Sequence, residues 1–188
     1  QEIWKWRKSA PDFCFLAGSC NYVNDIEYDR PGRPYGSDST IFLTMAKEKP
    51  TFMLWLGDSW YTREADFQSK WGLWARASHD RATPVLQNFL KSTSHIGIWD
   101  DHDYGPNDSD RGFWGKNMAL ETFKNFWGNP NYIFENEGIT GTFMWEDVQF
   151  FLMDDRYFRA PNGLADSTKD YYGEKQLNWL IDALKFSA

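Results

Sequence analysis

The sequence predicts an α/β layered domain with a largely buried sheet. Three observations carry that prediction. Residues 52–56 (Phe-Met-Leu-Trp-Leu) and 96–99 (Ile-Gly-Ile-Trp) are short, nearly uninterrupted apolar runs, the pattern of strands covered on both faces. Leu177, Leu180, Ile181 and Leu184 recur at i, i+3, i+4 and i+7, which is one face of a helix. The segments also alternate as strand, helix, strand, helices, strand, helix, hairpin, helix, an order that lays helices on a sheet. A chain of 188 residues is about one domain's worth and buries a core without disulfide staples.

Taken in order, residues 1–12 alternate aromatic and basic side chains and read as a surface lead-in. Residues 13–17 (Phe-Cys-Phe-Leu-Ala) read as a short buried strand, and 20–36, rich in Asn, Asp, Gly and Pro, as a polar loop. Ser37, Asp38 and Ser39 can cap a helix that runs through Ile41, Phe42, Met45 and Ala46. A buried strand over 51–56 follows, closed by Gly57 and Asp58. Helices are expected over 63–79 and 84–90, the third buried strand over 96–99, and another helix over 113–127. Residues 142–145 and 148–153, joined near Glu146 and Asp147, read as an antiparallel hairpin. The last helix stops at Ala188 with an apolar face that wants a partner. The expectation is one catalytic-type domain over 1–188, incomplete at its C-terminus.

Composition excludes several classes. Lys plus Arg is 20 and Asp plus Glu is 27, giving 20 − 27 = −7, so bulk charge argues against duplex DNA or an anionic membrane as partner. No run of 18 apolar residues offers a transmembrane helix. The two cysteines, Cys14 and Cys20, stand about 20 Å apart if the chain between them is extended, beyond the roughly 7 Å reach of a disulfide. They are expected to be free thiols. The aromatic load is heavy, with 11 Trp, 9 Tyr and 15 Phe, and suits a packed core, a ring-lined cleft, or both.

Ligands of open α/β sheets bind beyond the carboxyl ends of the strands. Those ends carry Gly18-Ser19-Cys20, Gly57-Asp58-Ser59-Trp60-Tyr61, Asp100-Asp101-His102-Asp103 and Asp154-Asp155-Arg156-Tyr157. Carboxylates gathered at one edge repel and stay ionised only beside a cation. Oxygen ligands alone suit Ca²⁺, Mg²⁺ or Mn²⁺, whereas a thiolate with a phenolate favours an ion such as iron. Taken singly, Cys20 reads as a packed thiol, Asp58 as a strand terminator and Tyr61 as a packing residue. Asp154 with Arg156 reads equally as a plain ion pair, while Trp60, Tyr104 and Trp114 are the rings placed to line a cleft. Three acids around His102, directly behind an apolar strand, point to metal or catalysis.

At these residues the sequence resembles the alkaline phosphatase D (PhoD-like) family of calcineurin-like metallophosphoesterases. The resemblance rests on Gly18-Ser19-Cys20, Gly57-Asp58-x-x-Tyr61 and Trp99-Asp100-Asp101-His102-Asp103. Asp154-x-Arg156-Tyr157 and Gly173-x-x-Gln176-x-x-Trp179-Leu180 extend it in the same order. It implies a sandwich of mixed β-sheets flanked by helices, and hydrolysis of phosphate esters by a metal-activated hydroxide at a site of Fe³⁺ and Ca²⁺, with Mn²⁺, Mg²⁺ or Zn²⁺ as other ions. By position it implies Cys20, Asp58 and Tyr61 around the iron, and Asp58 bridging to a second metal. Asp101 would bind that second metal, in the place of the Asn of a Gly-Asn-His motif, with Asp100 sharing the role. His102 would face the phosphate as the catalytic side chain, and Asn107 and Arg156 would contact substrate. Small-molecule or lipid phosphate esters are the implied substrates, and an exported location, periplasmic or extracellular, the implied compartment. Two features depart from the family pattern: Asp155 stands where a small or hydroxyl residue is common, and the distal Gly-Asp-x-His motif lies outside the sequence. Two other classes stay open on the residues: a non-catalytic module gripping glycans with exposed Trp, and a Ca²⁺-stabilised structural protein.

Overall fold

In a computed structural model, the described residues are 10–36, 38–165 and 167–187. The lead-in over 1–9 and the capping role of Ser37 lie outside them. Strands β1 (Phe15–Gly18), β2 (Phe52–Leu56) and β3 (Ser94–Ile98) form a parallel sheet in the order β1-β2-β3. Between them run α1 (Ile41–Lys47), α2 (Lys70–Arg81) and α3 (Pro84–Leu90). After β3 come α4 (Asp101–Tyr104), α5 (Lys116–Phe126), the antiparallel pair β4 (Gly141–Trp145) and β5 (Val148–Leu152), and α6 (Glu174–Ser187). The architecture is thus mixed α/β, with a parallel and an antiparallel sheet.

The central strand explains its own composition. Side chains alternate across a strand, so Met53 and Trp55 point into a core with Phe42, Leu73, Leu86 and Phe89, while Phe52 and Leu54 point the other way onto Phe143 and Leu152 of the hairpin. Both faces are covered, and every position is apolar. Phe52 stands edge-on to Phe143 at 5.7 Å between centroids, and Phe143 stacks on Phe150 at 4.8 Å. Hairpin and parallel sheet therefore pack face to face through aromatic rings.

Four elements differ from the sequence expectation. Among the described residues β1 and β3 each pair with β2 alone and are the edges of the sheet: β1 alternates between exposed and half-buried side chains, and β3 covers Ser94–Ile98 rather than 96–99, buried at Ile96 and Gly97 only. Periodicity cannot distinguish an edge from a centre, because that is decided by which strand pairs outside it. The helix expected from 63 begins at Lys70, where Ser69 accepts a hydrogen bond from the Gly72 amide as N-cap. Residues 63–69 are instead held as turns by charge: Asp66 accepts from the Arg63 amide at 2.9 Å and from Arg76 Nε at 2.7 Å. The helix expected from 113 starts at Lys116. The capping role expected of Asp38 and Ser39 is not seen: the N-cap of α1 is Thr40, which has no side-chain cap hydrogen bond, and Asp38 accepts from the amide of Thr40 at 2.9 Å in the turn before the helix.

α6 docks through the Trp179 ring, set against Phe134 and Phe151, and through one buried polar side chain. Gln176 is fully buried; its carbonyl accepts from Thr140 Oγ1 and the Asp154 amide, and its amide donates to Asp154 O and Tyr172 O. The apolar face read from the sequence remains half open to solvent at Leu177, Ile181 and Leu184.

Candidate metal centre

The carboxyl ends of β1, β2 and β3 converge, and the backbone there is unusual. Cys20 and Asp58 both adopt positive φ (61° and 51°) and Gly57 lies at φ 96°. Cys20 N donates to Gly57 O and Asn21 N to Asp58 O, so the two chains leave their strands as a matched pair of left-handed turns. Only glycine fits at 57: a Cβ there would lie 2.6 Å from Asp100 Cβ and 2.8 Å from Asp100 N. The turn thereby sets the Asp58 carboxylate against the start of α4.

Asp58 is the hub. Its Oδ2 accepts from the Tyr61 hydroxyl at 3.0 Å and from the Cys20 thiol at 3.7 Å, and its Oδ1 from the His102 amide at 3.3 Å. Ligand atoms of Asp58, Asp101 and His102 all lie within 4.8 Å of one another. The Tyr61 and His102 rings are 4.3 Å apart. Buried and short of compensating cations, Asp58 has its pKa raised, chiefly by desolvation and further by the charges of Asp101 and Asp100, against the lowering pull of His102 and Tyr61. Tyr61 is pushed up as well, by burial first and the Asp58 charge second. Desolvation by burial dominates both shifts.

A cation fits this donor set. His102 Nδ1 is buried without a hydrogen-bond partner, and a buried imidazole nitrogen left unpaired is costly unless something accepts or coordinates it. Thiol, phenol, carboxylates and imidazole on one spot form a mixed set of hard and soft donors.

The remaining expected residues are distributed around this hub. Asp100 is not among the three converging groups: it caps α4, and its Oδ1 accepts from Arg156 Nε at 2.6 Å and pairs with Arg156 NH2. Arg156 also reaches Asp101 Oδ1 at 3.6 Å and donates to Ser109 O, so it ties both carboxylates together. Asp101 Oδ2 accepts from the Asp108 amide at 2.7 Å. Asn107 is exposed and donates to its neighbour Asp108. Asp103 is structural: fully desolvated, it accepts from the amides of Ser59, Trp60 and Asp100. Asp154 likewise is no partner for the Arg156 guanidinium; its carboxylate accepts from Trp99 Nε1 and the amides of Ile139, Arg156 and Tyr157. Trp60 and Tyr104 are core, whereas Trp114 is exposed. Cys14 and Cys20 are free.

Two features escaped the sequence. Asp155, half-buried beside Asp100, has its pKa pushed up to about 8 by desolvation and that neighbouring charge. A buried charge network lies behind Tyr61: Arg63 pairs with Asp29 at 3.1 Å and donates to the carbonyls of Tyr61 and Val23, and Asp80 accepts from the Tyr61 amide while facing Arg76. Arg63 reaches Asp29 and Val23 from more than thirty residues away, so the local Arg76–Asp80 spacing does not announce the network.

No protein-family model and no curated protein sequence matches the chain. Among solved structures, that of PhoD superposes with a TM-score of 0.74 at 18% identity, over 95% of this chain and 40% of the PhoD chain. At that identity the likeness shows the fold, which is PhoD-like over nearly the whole chain. The chain spans about two fifths of the length of that PhoD chain.

Proposed function

We propose that this chain is a metal-dependent hydrolase of phosphate esters, of the alkaline phosphatase or phosphodiesterase type. The observation that carries the reading is the convergence of Cys20, Tyr61 and His102 on Asp58, with Asp101 beside them, at the strand ends of a PhoD-like fold. Cys20, Asp58 and Tyr61 would hold Fe³⁺. Asp58 and Asp101, with Asp100, would hold a second ion, Ca²⁺ or another divalent cation such as Mn²⁺, Mg²⁺ or Zn²⁺. When bound, such ions supply Lewis-acid polarisation of the phosphate and a lowered pKa for water, the chemistry that ester hydrolysis needs.

The chain's own residues do the rest. His102, its ring tilted against that of Tyr61 with centroids 4.3 Å apart, would face the phosphate and donate to a phosphoryl oxygen or to the departing alkoxide. Arg156 holds Asp100 and Asp101 in place and contributes positive charge at the same edge. Asn107, exposed beside the site, contacts the substrate's outer part. Among the described residues no helix is long and apolar enough to cross a membrane, and an exported location completes the proposal.

The test is turnover of a chromogenic phosphomonoester and a phosphodiester, with and without a chelator, in the wild type and in His102→Ala. Chelator-sensitive turnover that falls by roughly 10²–10⁴-fold in the variant is expected for a lost proton donor. Turnover unaffected by chelation contradicts the reading. Glycan affinity that survives chelation, with no turnover, favours a binding module instead.

A further inference from the structure

Beside the hub, on the α1 side of the parallel sheet, lies a cavity of about 600 Å³, within the ~300–1,000 Å³ of small-molecule pockets. Leu16, Phe42, Met45, Met53, Trp55 and Leu86 line its inner part. Cys20 and Tyr22 form its border with the metal centre: Cys20 Sγ is 3.7 Å from Asp58 Oδ2, and the Tyr22 ring is 4.7 Å from that of Tyr61. Among the described residues the lining contains no Lys, Arg or His. Its one carboxylate, Asp38, already accepts from the amide and hydroxyl of Thr40.

We propose that this cavity receives the linear alkyl chain of a phosphate ester whose phosphate rests on the Asp58 cluster. The assignment builds on the hydrolase reading and names its substrate class. An anionic group has no counter-charge inside the cavity, so the phosphate stays outside it. Polar side chains such as Ser19, Asn24, Ser39 and Thr83 also line the cavity, but against the inner wall of Phe42, Trp55 and Leu86 the hydroxyls of a sugar or other polyol would be left unpaired. An alkyl chain loses nothing there, and the flexible side chains of Met45 and Met53 adapt to its shape. The reaction balances simply: water adds to phosphorus, the P–O bond to the alkyl oxygen breaks, that oxygen takes a proton, and inorganic phosphate and the alkan-1-ol are released.

Two arms test it on the full chain. In the first, kcat/KM is measured for ethyl, butyl and octyl phosphate, each below its micelle concentration. The expectation is a rise of roughly threefold to fourfold per added methylene until the cavity is filled. In Ile41→Glu, which places a charge at a lining position already 55% exposed, the slope with chain length flattens. In the second arm, octan-1-ol is titrated into chelated protein by calorimetry. It binds the wild type, Ile41→Glu weakens it, and ethanol gives no heat.

Turnover independent of chain length, with no octan-1-ol binding, overturns the assignment and leaves the hydrolase reading standing. Octan-1-ol binding that is lost in Ile41→Glu, without hydrolysis of any ester, upholds the alkyl site and overturns the hydrolase reading. Octan-1-ol binding unchanged in Ile41→Glu places the chain elsewhere and overturns the cavity assignment.

Discussion

Gly57→Ala is the sharpest perturbation of the architecture that builds the site. Gly57 sits at φ 96°, where an L side chain is strained, at a cost of about 1–3 kcal/mol. The new methyl would also meet Asp100 Cβ at 2.6 Å, Asp100 N at 2.8 Å and Trp99 C at 3.0 Å. Two of those atoms are backbone, so the collision cannot be relieved by a side-chain swing, and overpacking of this kind costs about 1–3 kcal/mol. The loss of unfolded-chain entropy on replacing Gly returns about 0.4–1 kcal/mol. The net expectation is a destabilisation of about 2–4 kcal/mol, a large share of the ~5–15 kcal/mol that holds a domain together. Relief requires Asp100 to move away from Asp58, carrying α4 and therefore Asp101 and His102 with it, so metal affinity falls along with stability. Urea unfolding followed by Trp fluorescence reads the first effect, and calorimetric metal titration of the still-folded variant reads the second. Gly128→Ala is the control, since nothing lies within 4 Å of a Cβ there; it should be neutral or slightly stabilising. A Gly57→Ala change below 1 kcal/mol with unaltered metal affinity would mean that the Gly57 turn does not set the position of Asp100 and α4.

Three other outcomes are expected. Asp154→Ala removes the acceptor shared by Trp99 Nε1 and three amides at a fully buried position; urea unfolding should show a loss of about 3–5 kcal/mol, and a loss under 1 kcal/mol contradicts the account. His95 is held neutral because its Nδ1 accepts from Trp55 Nε1 at 2.9 Å and burial lowers its pKa from 6.5 to about 4. The unfolded chain then binds the extra proton first, so this contribution is complete above pH 6.5 and lost as pH falls toward about 4. It amounts to about 2 kcal/mol once its partial exposure is discounted, and the acid loss of stability should be smaller in His95→Gln; equal losses argue against it. Metal loading should protect Cys20 from iodoacetamide while leaving exposed Cys14 reactive, as read by peptide mass mapping; equal labelling of Cys20 with and without metal removes it from the ligand set.

Much of this fold is legible locally. β2 and β3 follow from apolar runs, the hairpin from two strands joined at Glu146, and α3 from Pro84 at its first turn. What escapes is whatever depends on partners distant in sequence. β1 looks like β2 in composition, yet becomes an edge because no described strand pairs beyond it. Residues 63–69 carry helix-compatible side chains, but Asp66, Arg63 and Arg76 find better partners as turns, and Gly72 lets the chain pack on Asp66 O, 2.1 Å from where a Cβ would be. The site shows the same division. Asp58, Asp101 and His102 are readable because strand ends deliver them together. Adjacent Asp100 and Asp103 are indistinguishable from Asp101 in sequence, and only the fold turns one toward Arg156 and the other into the backbone of the 59–60 turn.

If Asp58 organises a metal site, removing its charge empties that site. The most direct test is the metal content of purified wild type and Asp58→Asn, measured by elemental mass spectrometry after equal exposure to iron and calcium. The substitution is nearly isosteric but removes the charge on which Cys20, Tyr61 and His102 converge. The account predicts bound metal in the wild type and its loss in the variant, with the fold intact by circular dichroism. Equal metal in both proteins, or none in either, would contradict it.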